Sequence, residues 1–180
     1  MTEAISTSRM KDDVVMISET IGERKIWRYP ALRATEKFIT DSYANAGYEP
    51  ITETFEAKAY QVSNVIAELV GTGTTKKNEI IVIGAHYDSA VGTPGANDNA
   101  SAVAGLLELA RLLKDTKLNR TIRFGAFVNE EPPFTFTKHM GSKVYAAGAI
   151  NEMTISLQCF VSNVLASIQM CREVNRIHLH

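Results

Sequence analysis

The first residues in this sequence able to bind a metal or move a proton are His86 and Asp88, separated only by Tyr87. Imidazole is a common zinc ligand, and a carboxylate two residues further on can orient such a histidine through a hydrogen bond. Taken alone, a histidine at the end of a strand is more often a polar residue satisfied by its neighbours. The pair therefore suggests a metal site without establishing one.

Two further groups follow along the chain. Asp98 lies in the turn Gly95-Ala96-Asn97-Asp98-Asn99, where an aspartate can bind a metal or simply form the turn or cap a helix. Glu130 and Glu131 are adjacent carboxylates that repel each other, and a bound dication would relieve that repulsion. One of the two could then ligate while the other acts as a base. The alternative for this pair is an exposed acidic turn.

The flanking patterns predict how these groups are positioned. The run from Glu79 to Ala85 is apolar on both faces, which is typical of an interior strand covered on two sides. Ala100 to Lys114 has an amphipathic helical stripe, with Asn99 or Ser101 as its expected cap, and Asn119 to Val128 returns to strand. Strand, helix and strand predict a right-handed crossover, and sites in open α/β sheets lie at the carboxyl edge of such strands.

The rest of the chain has weaker patterns. Residues 1–14 are expected to form a frayed arm, and Arg24 and Arg28 are interpreted as part of a solvated helix face, although a functional role for either stays open. Pro30 is placed in the first turn of a helix and Gly47 at a helix end. The remaining predicted elements are a helical region from Ser18 to Gly47, strands Glu53–Tyr60, Gln61–Val70 and Met153–Phe160, and a helix Lys138–Ala149.

Composition limits the classes of function. A chain of 180 residues with 45% hydrophobic residues predicts one domain with a substantial core. A net charge of −1 argues against a nucleic-acid partner, and no apolar run approaches the length of a membrane span. The N-terminus lacks a signal peptide, so the sequence as written predicts a cytoplasmic protein, or a secreted or periplasmic one if the true start lies upstream. Cys159 and Cys171 lack zinc-site spacing and are interpreted as incidental thiols.

Together the motifs resemble a known family. They are His86-Tyr87-Asp88-Ser89, Gly95-Ala96-Asn97-Asp98-Asn99-Ala100-Ser101, Asn129-Glu130-Glu131-Pro132-Pro133 and Met140-Gly141-Ser142. In order and spacing they look like the co-catalytic zinc aminopeptidases of metallopeptidase family 28, which include bacterial leucyl aminopeptidases and glutamate carboxypeptidases. The resemblance covers about Ile21 to Leu157. It implies an α/β fold, a phosphorylase/hydrolase-like three-layer α/β/α sandwich with a mixed sheet, and two zinc ions at the sheet's carboxyl edge.

The resemblance also implies a role for each site residue. His86 matches a ligand of the first zinc, Asp98 the carboxylate that bridges both metals, and Glu131 a ligand of the second zinc. Glu130 matches the general base, and Asp88 the aspartate that hydrogen-bonds the histidine ligand. The implied activity is a zinc-dependent exopeptidase, an aminopeptidase that hydrolyses N-terminal residues from peptide substrates.

The chain departs from the family pattern near its end. Gln158 stands where the family has an acidic ligand of the first zinc, and a neutral amide is a poor zinc ligand. The family's late histidine is also missing, since His178 and His180 follow too soon after Glu131. The predicted division is an N-terminal arm 1–20, a partial catalytic domain 21–158 and an unrelated tail 159–180. We therefore expect an incomplete sandwich, one or fewer tightly bound zinc ions, impaired activity, and an unpaired sheet edge that allows self-association.

Two other interpretations stay open. An inactive relative of the family, acting at most as a binding module, is suggested by the missing ligands. A glutaminyl-cyclase-like acyltransferase on a related fold ranks lower, because its turn and acidic-pair motifs differ from Asn97-Asp98-Asn99 and Asn129-Glu130-Glu131. The zinc content of the pure protein would separate an enzyme from a bare scaffold.

Overall fold

The computed structural model describes residues 4–151 and 158–161. Its five strands are β1 (Ile51–Ala57), β2 (Tyr60–Leu69), β3 (Ile80–His86), β4 (Thr121–Phe127) and β5 (Gln158–Val161). Its four α-helices are α1 (Thr7–Val15), α2 (Tyr29–Asn45), α3 (Ser101–Leu113) and α4 (Gly141–Asn151). Shorter helical turns are Met16–Ile21, Ile26–Arg28 and Ala96–Ala100.

The strands form one mixed sheet in the order β1-β2-β4-β3-β5. β1 pairs with β2 and β2 with β4 in antiparallel fashion, while β3 runs parallel to both β4 and β5. The predicted interior position of β3 is thus confirmed. In the parallel pair His86 lies opposite Phe127, so β3 and β4 end at the same edge of the sheet.

Alternate side chains of the strands pack into two separate cores. On one face Val65 of β2 and Phe124 of β4 belong to a large buried cluster that contains residues of α2 and α3. On the other face Ile66 and Phe127 pack with Tyr145 of α4. Because neighbouring strand residues point to opposite faces, this alternation builds helix layers on both sides of the sheet. The predicted three-layer α/β/α sandwich is confirmed.

The predicted succession of strand, helix and strand is present as β3, α3 and β4, and β3 and β4 pair in parallel. The predicted helix cap is wrong. Among the described residues no side chain caps the N-terminus of α3. The Ser101 hydroxyl donates to the Asn97 carbonyl at 2.8 Å, and the Asn99 side chain is buried. Asp98 and Asn99 have non-helical backbone angles, so the chain enters α3 through a kinked turn that carries the Asn99 amide away from a capping position.

The N-terminal region is more ordered than the sequence suggests. The prediction of a frayed arm over residues 1–14 is wrong from Thr7, where α1 begins, with the Ser6 hydroxyl accepting a hydrogen bond from the Arg9 amide at 3.3 Å. The Ser6 amide also donates to Glu108 of α3 at 2.6 Å. Polar contacts thus hold α1 against α3, which is about 100 residues away in the sequence. Such contacts do not require an apolar periodicity, so the sequence pattern does not reveal them. The predicted domain limits at residues 20 and 158 stay predictions.

The helical region predicted from Ser18 to Gly47 is interrupted. Gly22 ends the first helical turn with a φ of 84°, and α2 begins only at Tyr29. Pro30 does lie in the first turn of α2, and Gly47 follows the helix with a φ of 87°, so both of these predictions are confirmed. Glycine suits that position because an L side chain is strained at positive φ.

The other elements lie within a few residues of their predicted positions. α4 begins at Gly141 rather than Lys138, and β5 occupies the end of the predicted strand Met153–Phe160, of which 153–157 lie outside the described residues. Among the described residues β5 pairs with β3 alone, and self-association through its other edge stays a prediction. In the described part of the chain, no helix combines the length and apolarity needed to cross a membrane.

Candidate metal centre

The shared carboxyl edge of β3 and β4 brings two of the sequence motifs together. The Tyr87 amide donates to the Phe127 carbonyl at 2.9 Å, which continues the pairing of the two strands past His86. Glu130 and Glu131 follow β4 by three and four residues. The segments that carry the histidine and the acidic pair therefore run side by side.

His86 lies at the middle of the resulting cluster and is buried, with 2% of its surface exposed. Its Nε2 atom is 2.9 Å from Asp98 Oδ1 and 3.7 Å from Glu130 Oε2. Its Nδ1 atom is 3.5 Å from Asp88 Oδ1, a longer contact than that with Asp98. Burial alone would lower the pKa of His86, but Asp88, Glu130 and Asp98 outweigh it and raise that pKa to about 9.

Asp88 makes its strongest contacts with the acidic pair rather than with His86. One carboxylate oxygen accepts the Glu130 amide and the other accepts the Glu131 amide, both at 3.0 Å. The Asp88 side chain is itself buried. Asp88 thus holds the backbone of Glu130 and Glu131 in place. The sequence does not predict this contact.

The acidic pair is partly withdrawn from solvent. The Glu130 side chain is 19% exposed, so a solvent-exposed acidic turn does not describe it. Burial, which His86 opposes and the neighbouring carboxylates Asp88 and Asp98 reinforce, raises the pKa of Glu130. Burial also raises the pKa of Glu131 to about 7, again against His86 and together with the charges of Asp88, Asp98 and Glu130. The pKa values of both glutamates are therefore raised in spite of the neighbouring His86.

Asp98 reaches the cluster from the turn before α3. Its side chain is half-exposed, with 53% of its surface accessible, and its Oδ1 atom is directed at His86 Nε2. The backbone of this turn includes Gly95 at a φ of 58° and a cis peptide bond between Asp98 and Asn99. The structure therefore brings all five residues singled out from the sequence to one edge of the sheet.

The chemistry of these donors fits a divalent metal. Ligand atoms of His86, Glu130 and Glu131 all lie within 4.8 Å of one another. Imidazole and carboxylate are ordinary zinc ligands, and a dication would offset the repulsion among the carboxylates. This three-donor group contains Glu130, which the family pattern assigns as the base, so the division between ligands and base stays a prediction.

Gln158 does not lie where the sequence comparison placed it. The register of β5 sets Gln158 opposite Ile81, five residues before His86 along β3. Five residues of strand span about 16 Å, which separates the backbone of Gln158 from the carboxyl edge. The interpretation of Gln158 as the residue at a zinc-ligand position is therefore wrong for this register. The late histidines His178 and His180, and Cys171, lie outside the described residues.

Arg24 is the site-supporting residue that the sequence missed. Interpreted as part of a solvated helix face, it is instead fully buried, and it lies in the break between helical turns rather than on a helix. Its guanidinium donates to the carbonyls of Tyr87 and Gly95, and Gly95 lies three residues before Asp98. The only local signal was Gly22, which interrupts the helical pattern two residues earlier. Arg28, by contrast, is exposed as expected.

Comparison with known proteins identifies the family of this chain. The model of peptidase family M28 matches residues 64–164, which is more than half of the chain and includes all five site residues. The chain belongs to peptidase family M28. Peptidases are hydrolases, in agreement with the predicted enzyme class.

Two curated relatives illustrate how much of the family the chain covers. It is 33% identical over 150 residues to the uncharacterized protein YfbL of Escherichia coli strain K12, matching 79% of this chain and 45% of YfbL. It is 41% identical over 80 residues to aminopeptidase YwaD of Bacillus subtilis strain 168, matching 43% of this chain and 18% of YwaD. The chain thus spans less than half the length of either relative.

Solved structures share the fold. A zinc aminopeptidase from Bacillus subtilis superposes with a TM-score of 0.70 at 15% identity, covering 80% of this chain and 65% of that one. A glutaminyl cyclase from Fimbriiglobus ruber superposes equally well, with a TM-score of 0.70 at 19% identity, covering 89% and 62%. At these identities the likeness establishes the fold alone. It does not separate peptidase from cyclase chemistry.

Proposed function

We propose that the complete protein is a zinc-dependent aminopeptidase that removes N-terminal residues from peptides. The observation that carries the proposal is the convergence of His86, Asp98, Glu130 and Glu131 at the carboxyl edge of β3 and β4. The family membership and the 41% identity with an aminopeptidase over 80 residues support it.

Within this proposal each side chain has a defined task. His86, Asp98 and Glu131 would hold the metal. Zinc bound there would supply Lewis-acid polarisation of the scissile carbonyl and an acidified water. Glu130, partly shielded from solvent beside His86, would act as the general base that accepts a proton from the attacking water and returns it to the leaving amine. Asp88 keeps Glu130 and Glu131 in place through their amides.

For the 180-residue chain itself we propose weak zinc binding, one ion or fewer, and little turnover. Among the described residues His86, Glu130 and Glu131 have donors close enough to share an ion, and only two of these three remain as ligands when Glu130 serves as the base. Catalytic zinc sites usually keep three protein ligands for each metal. A site for two ions would need donors beyond these. Metal analysis of the purified chain, after dialysis against buffered zinc, measures the stoichiometry directly.

The activity is tested with a panel of aminoacyl chromogenic amides in the presence of zinc, alongside N-acetylated copies of each. Cleavage restricted to the free amines supports an aminopeptidase, whereas equal cleavage of the blocked and free forms contradicts it. A chain that binds no zinc and cleaves neither form fits the inactive-relative alternative.

The glutaminyl cyclase alternative stays open, because the chain shares its fold equally with the Fimbriiglobus ruber enzyme and with the zinc aminopeptidase. A peptide with an N-terminal glutamine separates the two activities. Loss of ammonia with every peptide bond intact, followed by mass spectrometry, would favour the cyclase. Release of free glutamine would favour the aminopeptidase.

Substitutions within the acidic pair test the division of roles. Glu130→Gln should abolish turnover and leave zinc affinity nearly unchanged, because a base is not a ligand. Glu131→Gln should weaken zinc binding itself. Equal loss of zinc in both variants would show that Glu130 is a ligand, as its place in the three-donor group allows.

A further inference from the structure

We propose that Arg24 is a positioning residue for the metal centre: its guanidinium ties the turn that carries Asp98 to the end of β3. The inference rests on the proposed zinc site and adds a residue that touches none of the reacting atoms. Arg24 comes from the break before α2, more than 60 residues away along the chain.

The side chain of Arg24 donates to backbone carbonyls on both sides of the turn. Its Nε atom donates to the Tyr87 carbonyl at 2.6 Å, one residue past His86. Its Nη1 atom donates to the Pro94 carbonyl, and its Nη2 atom donates to the Gly95 carbonyl at 2.9 Å. One guanidinium thus fixes the start of this loop and its far end relative to each other.

The backbone of Arg24 adds a second connection to the same loop. Its amide donates to the Ser89 hydroxyl at 3.1 Å, and its carbonyl accepts the Ser89 amide at 2.9 Å. The Ser89 hydroxyl in turn donates to the Thr93 carbonyl at 3.1 Å. The segment between His86 and Asp98 is therefore held by a network with Arg24 at its centre.

The burial of Arg24 indicates that this arrangement is specific. Its side chain is 0% exposed, and burying a guanidinium is costly unless its donors are satisfied. Burial lowers its pKa to about 10, while the nearby charges of Asp88 and Asp98 act in the opposite direction, so the group stays charged at neutral pH.

Close packing at Gly95 shows how little room the turn has. A Cβ atom added to Gly95 would lie 2.5 Å from the Asp98 carbonyl oxygen, 2.7 Å from Ser89 Cβ and 3.2 Å from Arg24 Nη2. The Gly95 carbonyl also accepts the Ala100 amide at 3.0 Å, next to the start of α3. Any shift of the turn on Arg24 is therefore passed on to Asp98.

Lysine cannot replace this contact. The guanidinium is a planar fork with five donors in fixed directions, whereas the lysine ammonium is a single point charge. Arg24→Lys keeps the positive charge but has one nitrogen in place of the three that donate to the Tyr87, Pro94 and Gly95 carbonyls. We expect this variant to bind zinc about 10–100-fold more weakly, the range typical for loss of a group that orients metal ligands.

The test measures zinc affinity by competition with a chromophoric chelator, on the full chain, for Arg24→Lys and for Arg28→Lys. Arg28 lies four residues away with an exposed side chain, so its variant is the matched control and should bind zinc like the parent. Thermal unfolding in EDTA reports any general loss of stability. Ile39→Val, a buried change in α2, supplies a destabilised control away from the site.

Double variants separate positioning from general stability. If Arg24 acts through the Asp98 turn, Arg24→Lys should cost little further zinc affinity in an Asp98→Asn background, and its full loss in a Glu131→Gln background. Equal, additive losses in both backgrounds would overturn the proposal, as would unchanged zinc affinity in Arg24→Lys. Zinc binding that is insensitive to both Asp98→Asn and Glu131→Gln would instead contradict the proposed metal site.

If Arg24→Lys prevents folding, a second variant tests the same proposal. Gly95→Ala displaces the same turn from its other side, and the same pair of backgrounds decides the outcome. Non-additivity with Asp98→Asn alone supports the proposal, and additivity with both overturns it.

Discussion

Glu108 and Glu130 are both carboxylates held away from bulk solvent, yet their surroundings shift their pKa values in opposite directions. Glu108, between α1 and α3, accepts hydrogen bonds from Arg111 at 2.8 and 3.0 Å and lies 3.2 Å from Arg9. These bonds, above all those from Arg111, lower its pKa to about 2. Around Glu130 the neighbours include three more carboxylates, Asp88, Asp98 and Glu131, and burial raises its pKa.

The balance of charge around a buried carboxylate distinguishes a binding site from a structural ion cluster. At Glu108 the chain supplies its own cations, so the negative charge stabilises the fold. At the end of β3 and β4 the carboxylates of the described residues outnumber the cations, and an added dication would balance the remaining charge. Strongly perturbed carboxylates that exceed their cationic partners are candidates for function, whereas matched ones are usually structural.

Glu108→Gln should produce the largest change in stability. The variant keeps the shape but leaves Arg111, Arg9 and the Ser6 amide with a weaker acceptor in a buried position. We expect the free energy of unfolding to fall by about 3 kcal/mol, as for other broken buried pairs. Urea denaturation with and without zinc should give the same loss. A zinc-dependent loss would mean that this cluster also communicates with the metal centre.

Glu131→Gln should change stability in the opposite sense when metal is absent. The variant removes one of four crowded carboxylates, and we expect the metal-free chain to become more stable by about 1 kcal/mol, a value reduced for the screening of a partly exposed group. With zinc present the gain should disappear, because a ligand is lost. A metal-free chain destabilised by this change would show that the carboxylates are already balanced.

The residues that the sequence located correctly are those governed by local pattern. β3 and β4 are apolar runs that end on polar motifs, and α3 has a clear amphipathic stripe, so these patterns alone place His86 and Glu130 at one edge of the sheet. The burial of Arg24 depends on carbonyls about 65 residues away, and α1 depends on Glu108, about 100 residues away. Periodicity carries no information about such contacts.

Asp13 of α1 is a carboxylate near Glu108 whose pKa shifts in the opposite direction. Burial, with Glu108 nearby, raises its pKa from 3.8 to about 6 although Arg9 opposes the shift. The folded chain therefore holds this proton more tightly than the unfolded chain does. The stability that protonation contributes is fully present below pH 3.8 and is lost as the pH rises through about 6.

Asp13→Asn should accordingly be more stable than the parent at pH 7.5 and equal to it near pH 4. The full shift corresponds to about 3 kcal/mol. Since Asp13 is only half-buried, we expect about 1 kcal/mol. Unfolding curves at the two pH values give the difference directly. A gain that persists unchanged at pH 4 would have a cause other than this titration.

Gln158→Glu should have the smallest effect. It tests whether residue 158 lies where sequence comparison places it or where the register of β5 places it. Sequence comparison places residue 158 at a zinc-ligand position, which predicts a modest gain in zinc affinity from a carboxylate there. The register of β5 sets the residue opposite Ile81, about 16 Å of strand from His86, too far for a ligand. We therefore expect zinc affinity to stay within about twofold of the parent, a difference below about 0.5 kcal/mol. A gain of about tenfold would show that β5 lies in a different register, with residue 158 at the carboxyl edge beside His86. It would also mean that the excess of carboxylates at this edge extends to a third strand.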